Sequence, residues 1–154
     1  MVKLKAGPKT FQARRAAKEA DRNEKWLLTT LPAHLSLKLF RDGEATQENW
    51  EVVCFRVSLG AELARLYFTE EAVEFMQEAE LTLRNVYAYA VLHDQWLVST
   101  DEFILFGWAL NLTDEMHELT TKSEQMPAWV WAANQMNLLQ DPQLRQQLIN
   151  TVRG

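Results

Sequence analysis

The chain has 154 residues, 47% of them hydrophobic and 24% charged, with a formal net charge of -5, proportions that exclude a disordered or membrane-spanning chain and match an ordinary soluble globular domain. A domain of this length buries roughly two thirds of its unfolded surface, so it needs no covalent staple, and the single cysteine, Cys54, excludes an internal disulfide and every multi-cysteine zinc motif. The start MVKLKAGPKTFQARR lacks the apolar stretch of a secretory signal, and no run approaches the length of a membrane helix. The expected setting is therefore the cytoplasm, with no membrane partner.

The charge is divided sharply along the chain. Residues 1–25 hold eight basic side chains, Lys3, Lys5, Lys9, Arg14, Arg15, Lys18, Arg22 and Lys25, against Glu19, Asp21 and Glu24, a local charge of +5; the remaining 129 residues carry -10. An approaching partner feels that local field rather than the overall balance. Ala13, Ala16, Ala17 and Ala20 recur at helical spacing behind the Gly7-Pro8 break, but Arg14, Lys18 and Arg22 would then align like charges on one face. With no large side chain between Phe11 and Trp26, residues 1–25 read as a conditionally helical basic arm, and residues 26–154 as one helical domain.

In chain order, the segment WLLTTLPAHLSLKLF is divided by Pro32 and ends at the turn signal Asp42-Gly43. Thr46 caps a helix whose stripe Trp50, Val53, Cys54, Val57, Ala61 and Ala64 is broadened by Val52, Phe55, Leu59, Leu63 and Leu66, which predicts a central element. The β-branched residues of EVVCFRV also suit a strand, yet no alternating partner strand follows. Thr69-Glu70-Glu71 starts a long helix with the seam Ala72, Met76, Ala79, Leu83, Val86 and Ala90, closed at His93-Asp94. Ser99 and Glu102 form a capping box ahead of Phe103, Phe106, Trp108 and Leu110. Asn111 then suggests an interruption, Thr113-Asp114-Glu115 a second start with Lys122 near its end, Pro127 the opening of a short apolar segment, and Asp141-Pro142 a terminal helix to about Val152. The sum is an all-α fold, an irregular bundle of about six helices with a basic N-terminal arm.

Catalytic constellations are missing. The five glycines form neither a GxGxxG nor a GxxxxGK[ST] motif, and no GxSxG or HExxH occurs. Asp114, His117 and Glu118 have the spacing of half a bundle metal site, but His34 and His93 have no carboxylate three residues before them, so no metal and no cofactor is expected. Cys54, between Val53 and Phe55, reads as an inert buried thiol.

What remains is a non-enzymatic interaction module, an adaptor, regulator or inhibitor that docks on a larger macromolecule. Arg14, Arg15, Lys18, Arg22 and Lys25 would engage an acidic protein surface. Trp129 and Trp131, two apart and so on different helix faces, would add desolvated contact area. The alternative is a nucleic-acid-associated regulator gripping phosphates through the arm. Self-association, with the arm of one copy on the acidic body of another, is a further expectation.

Overall fold

The computed structural model describes residues 30–138, together with positions 142, 143, 146 and 150, which are helical. Five helices form the described part: α1 Leu31–Arg41, α2 Gln47–Tyr67, α3 Glu70–His93, α4 Thr100–Leu119 and α5 Lys122–Leu138. No strand occurs among the described residues, so EVVCFRV is helical, as its lack of a partner strand implied. The arm at 1–25 lies outside the described residues, as does most of the expected terminal helix.

Pro32 sits in the first turn of α1, where its missing N–H costs nothing. Lys38 and Arg41 occupy the last turn, where the backbone dipole favours cations. The chain reverses through Gly43 at φ +74°, a conformation open to glycine. Thr46 stands at the N-cap of α2, and its N–H donates to Asn49 Oδ1 at 2.8 Å.

The helix α2 is the axis of the bundle: α1, α3, α4 and α5 all pack against it. Its burial runs right round the circumference from Arg56 to Ala64, as expected for a helix enclosed by neighbours. Two features fix its placement. At its N-terminal end Trp50 is buried, donates its indole N–H to the Leu83 carbonyl at 2.9 Å, and packs on Tyr87 and Trp96 with ring centroids 4.8 and 6.2 Å away. Further along, Gly60 lets α2 approach α4 so closely that a Cβ there would lie 2.0 Å from Thr113 Oγ1.

Thr69 caps α3 by accepting from the Ala72 N–H at 3.3 Å, and the predicted seam buries Met76, Ala79, Leu83, Val86 and Ala90. The helix ends at His93, where Asp94 turns left-handed at φ 53°. The Ser99–Glu102 capping box starts α4, with Ser99 N–H to Glu102 Oε1 at 2.8 Å and Glu102 N–H to Ser99 Oγ at 3.1 Å.

Two expectations about boundaries are corrected. Asn111 does not interrupt α4, and Thr113-Asp114-Glu115 is no helix start: α4 is continuous to Leu119. Thr113 instead donates its hydroxyl to the Ala109 carbonyl one turn back in the same helix at 2.8 Å, and Asp114 is held by partners on two other helices, so neither side chain caps a helix start. Nor does Pro127 open α5. The helix begins at Lys122 behind a capping box in which Thr121 N–H meets Glu124 Oε1 at 2.9 Å and Glu124 N–H meets Thr121 Oγ1 at 3.2 Å, and it carries Pro127 inside.

Candidate functional site

The most unusual chemistry in the described residues is a charge buried where α1, α2 and α4 meet. Arg56 faces away from solvent on the central helix, with a relative exposure of 2%. Its Nη2 donates to Asp114 Oδ1 at 2.9 Å and to Thr30 Oγ1 at 3.2 Å. The other carboxylate oxygen, Asp114 Oδ2, accepts from His34 Nε2 at 2.8 Å. One carboxylate thus joins three helices, and Asp114 and His34 remain partly open to solvent while the guanidinium does not.

Burial lowers the proton affinity of Arg56 below that of an ordinary guanidinium, and the hydrogen bond and charge of Asp114 act in the opposite direction. Among the described residues, Nε and Nη1 of Arg56 have no acceptor. A buried donor left without a partner costs the desolvation it has undergone, so this corner is electrostatically unfinished.

A second polar cluster lies between α2 and α3. Ser58 and Glu62 are buried there, and Glu62 pairs with Arg65 through both carboxylate oxygens. Desolvation raises the Glu80 carboxyl above its ordinary value; Arg84 and a hydrogen bond from Ser58 oppose that rise and the charge of Glu62 adds to it. The sign for stability follows from proton binding: above the ordinary carboxylate range the folded state holds this proton more tightly than the unfolded chain, so stability falls as pH rises toward the raised value. Glu80→Gln should flatten that slope in urea titrations run at a series of pH values. An unchanged slope would show that Glu80 titrates alike in both states.

Cys54 packs against the core beside Ser58, and burial pushes its thiol up to about 12. The thiolate is the reactive form, so alkylation by iodoacetamide at pH 8 should wait on unfolding. Modification as fast as that of a free thiol would contradict this.

The predicted contact residues are placed unevenly. Arg14, Arg15, Lys18, Arg22 and Lys25 lie outside the described residues. Trp129 is partly buried, its ring 5.3 Å from Phe55 and 6.1 Å from His117. Trp131 is 44% exposed on the other flank of α5. Asp114, His117 and Glu118 do not converge: Asp114 turns to α1 and α2, His117 is buried beside Trp129, and Glu118 is exposed. Among the described residues no group of three His, Cys, Asp or Glu could hold a metal ion, and no helix is long and apolar enough to cross a membrane.

Sequence reasoning missed the outward face of α4. Ile104, Trp108 and Leu119 stand four and eleven residues apart, a spacing that keeps them on one side of a helix. Trp108 is 63% exposed and Leu119 75%. Beyond the Thr120-Thr121 turn, Met126 and Val130 repeat the pattern on α5, with Met126 61% exposed. The signal was available in the i, i+4 spacing of Ile104 and Trp108, but Phe103 and Phe106 in the same run made every aromatic look like core. No protein-family model matches this chain, and no curated protein or solved structure is significantly similar to it.

Proposed function

We propose that this chain is a non-enzymatic protein-interaction module, an adaptor, regulator or inhibitor that docks on a larger macromolecule. The observation that carries the reading is Trp108, mostly exposed on a helix face it shares with Ile104 and Leu119. Large apolar side chains presented together at the surface mark contact sites, and tryptophan is the residue type most enriched among those that dominate binding energy. Trp131 and Met126 are separately exposed on α5, while Trp129 braces that helix through Phe55.

The partner is a protein with an acidic surface, met by Arg14, Arg15, Lys18, Arg22 and Lys25 of the arm. Residues 30–138 carry six basic and seventeen acidic side chains, a charge of -11, which disfavours the reading as a nucleic-acid regulator because the body would repel the phosphates that the arm holds. A cytoplasmic setting belongs to the same proposal and is supported by the lone free cysteine. A sixth helix after Asp141 is supported by the helical positions 142, 143, 146 and 150.

The test is affinity capture from nuclease-treated lysate with the full chain and its Trp108→Ala variant. The expected result is a protein that survives nuclease, is lost with the variant, and is identified by mass spectrometry, while thermal unfolding of the two chains differs little. Capture that vanishes entirely with nuclease would shift the function to nucleic acid; capture unaffected by Trp108→Ala would remove the α4 face from it.

A further inference from the structure

The outward face of α4 carries a charge pattern of its own. Trp108 stands in the middle of it, 63% exposed, with Ile104 one turn before and Leu119 three turns after on the same side. Asp101 and Glu115 lie seven residues to either side of Trp108, so two helical turns return each of them to that face. Both are exposed, as is Glu118, and among the described residues none of the three makes an ion pair. The helix contains neither lysine nor arginine. Trp108 is therefore flanked along the axis by two unpaired carboxylates about 21 Å apart.

Whatever covers Trp108 also takes Asp101 and Glu115 out of bulk water. A wholly apolar partner would desolvate both without a counter-charge, which offsets the gain from burying the indole. A second copy presenting the same face fares no better, because a two-fold contact between two α4 helices sets carboxylate against carboxylate whichever way they run. Anionic membranes and nucleic acid meet a body of -11 over residues 30–138. Cations opposite the two acids remove each of these penalties, since they replace lost hydration with charge-assisted hydrogen bonds and are drawn in by the field of the body. The steps of four and seven from Ile104 to Trp108 to Glu115 also form a straight ridge of the kind that a second helix packs alongside.

We propose that α4 receives a cationic amphipathic helix of a partner protein, its apolar seam seated on Ile104, Trp108 and Leu119 and its Lys or Arg side chains, about four turns apart, facing Asp101 and Glu115. The inference rests on the interaction reading and names the chemistry of the contact at Trp108. This helix is a second element of the partner, apart from the acidic surface proposed above.

The test titrates the full chain into fluorescein-labelled synthetic peptides of about 18 residues, five helical turns, and follows their anisotropy. One peptide carries a leucine seam at helical spacing flanked by lysines; the other has the same seam with glutamate for every lysine. The lysine peptide should bind saturably, one per chain, and Trp108→Ala should weaken it by roughly thirtyfold, the scale of a central hot-spot tryptophan. Asp101→Asn/Glu115→Gln should weaken it by roughly tenfold. Glu74→Gln/Glu78→Gln, at exposed positions of α3, should leave it unchanged, which separates docking on α4 from general attraction to an acidic body. All these side chains are exposed, so thermal unfolding should match the parent. Absence of saturable binding, equal binding of the glutamate peptide, or indifference to Trp108→Ala or to the α4 double variant would each overturn the proposal. A dimer in sedimentation that Trp108→Ala dissolves would overturn it too, by giving the face to a second copy. If nuclease-resistant capture needs Trp108 while the lysine peptide fails, the interaction reading stands and the cationic helix falls; loss of both would remove both.

Discussion

Replacing Gly60 by alanine is expected to destabilise the domain by about 3 kcal/mol, even though alanine is the better helix former by about 1 kcal/mol. The new Cβ would meet Thr113 Oγ1 at 2.0 Å and Met76 Cε at 2.8 Å. Met76 can swing its thioether aside, but Thr113 is fully buried and its hydroxyl is tied to the Ala109 carbonyl, so relief requires α2 and α4 to separate. That separation would loosen packing along the axis on which the four other described helices rest. Urea unfolding of the variant should show a lower midpoint at an unchanged slope. Adding Thr113→Ala should recover part of the loss, since the two sites are in contact and their effects do not add. A fully stable Gly60→Ala chain would mean that the two helices do not cross at this distance.

The second large effect is expected at Asp114. Removing it as Asp114→Leu leaves Arg56 as a buried cation without a counter-charge, a situation that costs about 3–5 kcal/mol. Arg56→Met should cost less, because Asp114 is partly exposed and water can take over its solvation. The double variant Arg56→Met/Asp114→Leu should be more stable than Asp114→Leu alone, since two apolar side chains replace the pair and no charge is stranded. Thermal and urea unfolding of the four chains form a complete cycle. If Asp114→Leu proved milder than Arg56→Met, the guanidinium would have to be solvated by some other route, and the account of this corner as a desolvated charge would be wrong.

The two sites differ in how visible they are from the sequence. Gly60 is the one glycine in a 21-residue helix, and a helix-weakening residue there signals close approach, although nothing local says that Thr113 is the neighbour. Arg56 is the one cation in the apolar middle of the same helix. A cation inside a helix apolar on all sides needs a buried partner, but that partner lies 58 positions away on α4, beside His34 from a third helix. Composition and spacing do not measure such a distance.

Local signals were legible where hydrogen bonding is local. Thr46, Thr69, Ser99 and Asp94 mark helix ends because their side chains or backbone complete groups within a few residues, and the seam of α3 follows from a fixed angle per residue. The Thr121–Glu124 box was equally local and equally readable, yet Pro127 drew the start of α5 to itself. Where Asn111, Thr113 and Asp114 mimic a helix boundary, the same preferences misled, because Thr113 satisfies its hydroxyl on its own helix and Asp114 on two others. An all-helical chain, most of its helix starts, the central place of α2 and the charge division between residues 1–25 and the rest follow from residue order alone. That Arg56, Asp114 and His34 share one corner and that Trp108 faces outward follows from how the helices pack, since burial of a side chain depends on which helices cover it, and periodicity within one helix carries no information about its neighbours.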